Sequence, residues 1–367
     1  MTAPHEMPEP ADSEFEQILH CSDERTGLDS VIAIHDTTLG PSLGGIRMRS
    51  YPDHAAATAD AKRLAEAMSY KSALAGLDLG GGKSVINAAP ASADRRELLL
   101  AHARHIESLG GRYIPAVDMG TTVADLDLVG TIVSTVSSRR RDPSDFTAGG
   151  VVAAIRAALW VTEGSGLSGT RVAIQGLGHV GAQIAALLAA EGARLVVADI
   201  NDAVARRVQA DTGATVVAPS EILAAEADVL CPCAAGGVVT AELAETLTTR
   251  YVIGAANNLL AEPAVAAMLR ARRIVHVPDF VANAGGLIAC AAEVQGDDSD
   301  LPDRIDHIGT TTEELLRAAD QRGQDTVTVA MDMAKERMSS PRVTPEPRSS
   351  DRMWARTRPA SSASSAP

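Results

Sequence analysis

The stretch Val172-Ala173-Ile174-Gln175-Gly176-Leu177-Gly178-His179-Val180-Gly181 constrains the fold more than any other part of the chain. An apolar run of strand type enters a G-x-G-x-x-G turn, and an alanine- and leucine-rich helix follows. The first glycine permits the tight turn, the second lets a pyrophosphate approach the bare backbone, and the third lets helix and strand pack closely. The helix start then offers free N–H groups to phosphate oxygens, with His179 and Val180 lending only their backbone. The next apolar run ends in Val196-Val197-Ala198-Asp199. Asp199 lies roughly twenty residues past the motif, where a carboxylate can bind ribose hydroxyls or cap the next helix. It would repel a 2′-phosphate, and no arginine follows at once, so the residues favour NAD over NADP.

Around this unit, apolar runs and helical spacing alternate. Residues 31–34 read as a strand. Residues 54–74 read as an Ala-rich helix with Leu64, Ala67, Met68 and Lys71 at helical spacing. Ser84-Val85-Ile86 reads as a strand after a glycine cluster, 93–109 as a helix and Tyr113-Ile114 as a strand. From Thr147 the alternation is more regular, with a helix over 147–161, strands over 171–175 and 194–198, and a helix between them to about Glu191. Val229-Leu230, Val252-Ile253 and Ile274-Val275 then read as short strands between helical stretches. Such βαβα order predicts a parallel sheet with helices on both faces. The expected fold is α/β with two domains: an α/β unit over 14–146, then a Rossmann dinucleotide-binding unit over 147–285. Helices over 286–338 return to the first unit. Residues 1–13 and 339–367, rich in Pro, Ser and charge, read as mobile tails.

The chain has 367 residues, enough for two domains. Aromatics are only 2%, so the cores must be built from Ala, Val, Leu and Ile. A formal net charge of -14 argues against a nucleic-acid partner. Arg139-Arg140-Arg141 reads as a solvated loop. Four cysteines, Cys21, Cys231, Cys233 and Cys290, match no disulfide framework or zinc spacing, so no metal is expected. Cys231 and Cys233 suit one face of a strand end. No signal peptide and no apolar run long enough for a bilayer are seen, so a cytoplasmic protein without a membrane partner is expected.

Two lysines and an aspartate are candidates for chemistry. Gly80-Gly81-Gly82-Lys83 leaves a bare backbone with room for a ligand beside a lysine. A lysine partly desolvated there can have a depressed pKa and act as a base or polarise a carbonyl; it could equally bind phosphate or sit on the surface. The run is not a P-loop, because Leu77 stands where that motif needs its first glycine. Lys71, near the end of the Ala-rich helix, could simply cap it. Asp118 follows a strand and suits a catalytic loop or the start of a helix.

Taken together the motifs resemble the glutamate/leucine/phenylalanine/valine dehydrogenase family, and its leucine, valine and phenylalanine branch most closely. The resemblance rests on runs 39–48, 68–71, 76–83, 112–122 and 147–151, on the glycine turn, and on Cys231-Pro232-Cys233-Ala234, 254–258 and 278–288. It covers roughly residues 30 to 340. It implies that the first unit binds substrate and that Lys71 holds the substrate carboxylate with help from the Gly45 backbone. It implies that Lys83 activates the attacking water and that Asp118 shuttles protons to and from the amine. Thr147 and Asn257 would orient nicotinamide and substrate, and Cys233, Ala234 and Asn283 would line the cofactor site. Ala116 resembles the aliphatic-selective members, whereas Leu287 resembles the phenylalanine-selective pattern.

The sequence departs from the family at Ala291-Ala292-Glu293-Val294, at Gly149 and in the loop holding Arg139-Arg140-Arg141 and Phe146. The expected activity is reversible, NAD-dependent oxidative deamination of a small hydrophobic L-amino acid, valine or leucine, in a homo-oligomer. The alternatives are a phenylalanine- or glutamate-selective relative, or a catalytically idle NAD-binding paralogue.

Overall fold

A computed structural model describes residues 11–138 and 142–340. The expected tails over 1–10 and 341–367, and the Arg139-Arg140-Arg141 loop, lie outside the described residues. Two edges of those expectations are corrected. Asp12–Glu14 forms a short 3-10 turn, with Asp12 paired to Lys62 at 2.8 Å. Ser339 closes the last helix instead of opening the tail.

The first unit runs β1 (Gln17–Asp23), β2 (Leu28–Asp36), β3 (Ser42–Arg49), α1 (His54–Leu74), β4 (Gly80–Asn87), α2 (Arg95–Ser108), β5 (Tyr113–Val117) and α3 (Val123–Val129). Its five strands form one mixed sheet in the order β1-β2-β4-β3-β5. β1, β2 and β4 pair antiparallel, while β3 runs parallel to both β4 and β5. Both faces are covered, so the middle of β2, Val31 to Ile34, is a continuous apolar run. Val31 and Ala33 face α1 through Ala57, Ala61 and Ala65. Ile32 and Ile34 face the layer of α2, with Leu98, Leu99 and Ile106.

Three readings are corrected here. β1 and β3 were not expected, and the strand at 31–34 is longer. The glycines at 80–82 lie inside β4 and form no ligand loop. A Cβ on Gly81 would sit 2.1 Å from Ser69 N and 2.6 Å from Ala65 O. Gly81 thus lets α1 lie directly on the strand, while Gly80 and Gly82 leave room for Asp36 and Ser42.

The second unit opens with α4 (Ser144–Glu163) and continues β6 (Arg171–Gln175), α5 (His179–Ala190), β7 (Arg194–Ala198), α6 (Asp202–Thr212) and β8 (Thr215–Val216). Then come β9 (Val229–Pro232), α7 (Ala241–Thr246), β10 (Tyr251–Val252), α8 (Ala264–Ala271), β11 (Val275–His276) and α9 (Asp279–Ala282). All six strands are parallel, in the order β11-β10-β9-β6-β7-β8. That is the doubly wound nucleotide-binding order, with its switch point between β6 and β9.

The chain ends in α10 (Gly285–Gln295), α11 (Leu301–Arg322) and α12 (Thr326–Ser339). α11 packs on α4, and α12 packs on α1. Arg337 donates to the carbonyls of Ala73 and Leu77, and Thr311 Oγ1 donates to Leu74 O at 3.3 Å. These helices bind the two units together. By length and composition α4 could cross a bilayer, contrary to the sequence expectation. Its apolar length is used in the core, against α11, α5 and α10.

Candidate active site

Sheet register brings the chemistry together. Gly45 of β3 pairs with Ala116 of β5, and Leu43 pairs with Gly81 of β4, which sets Lys83 on the row of Gly45 and Ala116. Lys83 also pairs with Ala33 of β2, on the face that α1 covers. One strand step further on, Arg47 lies beside Asp118, the residue after β5. Gly45 is the space between them, since a Cβ there would come within 2.5 Å of Asp118 Cβ.

Through that space Lys83 Nζ reaches Asp118 Oδ2 at 2.9 Å, and Arg47 Nε donates to the same oxygen at 2.8 Å. Arg47 Nη1 also donates to Asp60 Oδ2 at 2.9 Å, and Tyr51 donates its hydroxyl to that oxygen at 2.6 Å. The Asp118 backbone is held by Thr121 Oγ1, 3.0 Å from Asp118 N, which also donates to Ile46 O at 2.8 Å.

Lys71, in the last turn of α1, crosses to the second unit. Its ammonium donates to Asn283 Oδ1 at 2.7 Å, and Asn283 Nδ2 donates to Asn257 Oδ1 at 2.9 Å and Ala255 O at 3.1 Å. Ala116 and Leu287 are both buried in the cluster that holds Leu43.

Burial pushes the Lys71 ammonium down to about 8, against the pull of the Asp279 carboxylate. At pH 7 such a group is still about tenfold in favour of its cation. It can therefore hold an anion. Burial also lowers Lys83, with Asp118 opposing the shift. Burial alone would raise Asp118, but the Lys83 and Arg47 cations outweigh it and hold the carboxyl below its usual range. Burial raises Asp279, whose carboxylate accepts from Asn258 N at 3.0 Å.

The nucleotide turn follows β6. Gly176 has φ +87°, which a side chain would strain, and a Cβ there would also meet Ala234 at 2.5 Å. A Cβ on Gly181 would meet Gly176 O at 2.0 Å. Gly178 has open space around it and precedes the first turn of α5, leaving a cradle where phosphates could meet backbone N–H groups. Asp199 accepts from Leu177 N at 2.7 Å and Asn201 N at 2.8 Å. Asn201 caps α6, so Asp199 is not its cap. The residues present fit a dinucleotide.

The structure thus joins Lys83, Asp118 and Gly45 in one cluster, and Lys71, Asn283 and Asn257 in another. Cys233 and Ala234 stand beside Gly176 and Gly181. Half-buried Thr147 donates to Pro143 O at 2.9 Å and abuts Gly286. Exposed His179 faces Asp142 at 3.6 Å, and Val180 follows it into α5. Among the described residues no three His, Cys, Asp or Glu side chains are grouped to hold a metal.

Sequence reasoning missed Arg47, Asp60 and Asp279. Arg47 could have been found as the residue two past Gly45 on a strand, had that glycine-rich run been read as a strand.

Family models match two parts of the chain. Residues 15–135 match a model described as Glu/Leu/Phe/Val dehydrogenase, dimerisation domain, and residues 197–341 match Glutamate/Leucine/Phenylalanine/Valine dehydrogenase. A leucine dehydrogenase of Geobacillus stearothermophilus is 40% identical over 337 residues, covering 90% of this chain and 92% of the relative. A valine dehydrogenase of Streptomyces coelicolor is 41% identical over 349 residues, covering 90% and 94%. The crystal structure of L-tryptophan dehydrogenase from Nostoc punctiforme superposes with a TM-score of 0.82 at 36% identity, covering 89% of this chain and 96% of that one.

Proposed function

The chain belongs to the glutamate/leucine/phenylalanine/valine dehydrogenase family and is an amino acid dehydrogenase; from that premise we propose that it oxidises valine or leucine, with NAD as cofactor, to the 2-oxo acid and ammonium. The observation that carries the proposal is the Lys83–Asp118 pair at 2.9 Å, with Lys71, in the last turn of α1, near enough for both their charges to act on it.

The bound nicotinamide supplies the hydride acceptor. Each protein group has a separate task. Lys71, cationic at neutral pH, exchanges Asn283 Oδ1 for the substrate carboxylate. The free Oδ1 of Asp118 takes a proton from the substrate ammonium while Oδ2 stays anchored by Lys83 and Arg47. Once the Cα–N bond is an iminium, Lys83 polarises the attacking water and Asp118 returns a proton to the departing nitrogen. The balance is one water consumed, and one ammonium, one hydride and one proton released. Ala116, Leu43 and Leu287 offer the side chain an apolar wall, which supports an aliphatic substrate over glutamate. Asp199 supports NAD by charge repulsion of a 2′-phosphate.

Homo-oligomerisation through the first unit agrees with the description of its family model. All four cysteines are free, which supports a reducing compartment, the cytoplasm.

The test is initial rates of cofactor reduction with L-valine, L-leucine, L-phenylalanine and L-glutamate, each with NAD and with NADP. The expected result is highest kcat/KM for valine or leucine with NAD. Preference for phenylalanine, glutamate or NADP would overturn the corresponding part, and no turnover with any pair would overturn the proposal.

A further inference from the structure

Two thiols stand at the switch point of the nucleotide sheet, and the deamination chemistry uses neither. Cys231 lies inside β9, fully buried, and Cys233 follows the strand, half-buried. Alternate residues on an extended strand point the same way. Their sulfurs are 3.7 Å apart. Cys233 is also part of the loop that shapes the cofactor cradle. Its N–H donates to Gln175 O at 2.7 Å, the carbonyl just before Gly176. Its Cβ lies 3.2 Å from where a Cβ on Gly181 would sit, and Ala234 fills the space beside Gly176.

We propose that Cys231 and Cys233 form a thiol–disulfide modification site whose closure deforms the cofactor loop. The oxidant is a small disulfide of the glutathione class. The half-exposed Cys233, as thiolate, attacks one sulfur of that disulfide, breaks its S–S bond and releases one small thiolate. A mixed disulfide remains on Cys233. Cys231 then gives its proton to the released thiolate, bonds to the Cys233 sulfur and expels the second small thiolate, which takes up the proton that Cys233 had released. The protein loses two hydrogens, and the small disulfide is reduced to two thiols.

Cα atoms two apart on a strand are about 6.6 Å apart, near the top of the roughly 4.4–6.8 Å range a disulfide spans. The bridge can therefore form, but it draws Cys233 back toward Cys231. That movement pulls its N–H from Gln175 O and shifts Ala234 away from Gly176. The dinucleotide then meets a cradle of the wrong shape.

The test uses the full chain, equilibrated in mixtures of reduced and oxidised glutathione, alkylated and mapped by peptide mass. In parallel, affinity for the reduced nicotinamide cofactor is read by its fluorescence. The reading does not depend on turnover, so it stands apart from the choice of amino acid. The expected results are an internal Cys231–Cys233 bridge and cofactor binding about tenfold weaker, the scale of one lost hydrogen bond with its packing. Both should reverse with a dithiol reductant. Cys231→Ala should instead accumulate the mixed disulfide at Cys233, and Cys231→Ser serves if the alanine variant does not fold. A parent chain that holds glutathione on Cys233 without forming the bridge would overturn the site. A bridge that leaves cofactor affinity unchanged, or the same affinity loss with a bridge-free Cys231 variant, would overturn the coupling.

Discussion

At the scale of residues, the site depends on one carboxylate oxygen shared by two cations. Oδ2 of Asp118 accepts from both Lys83 and Arg47, so in the proposed mechanism Oδ1 is left to carry the proton. The sign of the electrostatics gives a test. Arg47 helps hold the Asp118 carboxyl below its usual range, so removing its charge must raise that pKa. In Arg47→Gln, the acid limb of kcat/KM should move up by about one pH unit, the scale of a lost adjacent guanidinium. Arg47→Lys should restore most of the original profile. A variant that merely loses stability while its acid limb stays in place would show that Arg47 only supports the fold. The residue was not singled out from sequence, because its neighbours Gly44-Gly45 hide the strand that carries it.

At the scale of elements, Gly81 of β4 decides how closely α1 lies on the first sheet. That closeness brings Lys71 within reach of the Lys83 charge. Gly81→Ala would place a Cβ against helix backbone at Ser69 and Ala65. Backbone cannot yield as a flexible side chain can, so a loss of about 3 kcal/mol in urea unfolding is expected, at the upper end of overpacking costs. Gly110→Ala is the control. Gly110 has φ +61° with open space around it, and it should lose only about 1 kcal/mol. Equal losses at the two positions would contradict the packing argument.

Legibility also differed by element. α1 matches the expected span, because Asp53 caps its start by accepting from Ala56 N at 2.8 Å and glycine follows its end. The β6 turn and helix α5 were equally plain, since the glycine spacing is itself the geometry. β1 carries too little alternation to show as a strand, and only pairing with β2 reveals it. β3 and β4 were obscured for another reason. Their glycines answer to close neighbours in space, which local sequence does not contain. The mixed pairing of the first sheet is likewise a tertiary outcome.

At the scale of the whole molecule, the two units are separate sheets joined by shared helices. The proposed chemistry needs both. Lys83 and Asp118 belong to the first sheet, the dinucleotide cradle to the second, and Lys71–Asn283 spans the gap at 2.7 Å. α12 packs on α1, and α11 reaches it through Thr311, which donates to Leu74 O. A net charge of -14 makes the surface inhospitable to anions, so the proposed reading gives the cofactor phosphates to short-range backbone dipoles at α5. Binding of cofactor and catalysis are therefore separable, and Lys83→Ala separates them. Cofactor affinity and amino acid turnover should be measured on the same preparation of that variant. The account predicts cofactor affinity within about twofold of the parent, because the cradle is untouched, and turnover lower by about 10³ or more, the scale of a lost general acid–base group. Turnover near that of the parent would contradict it.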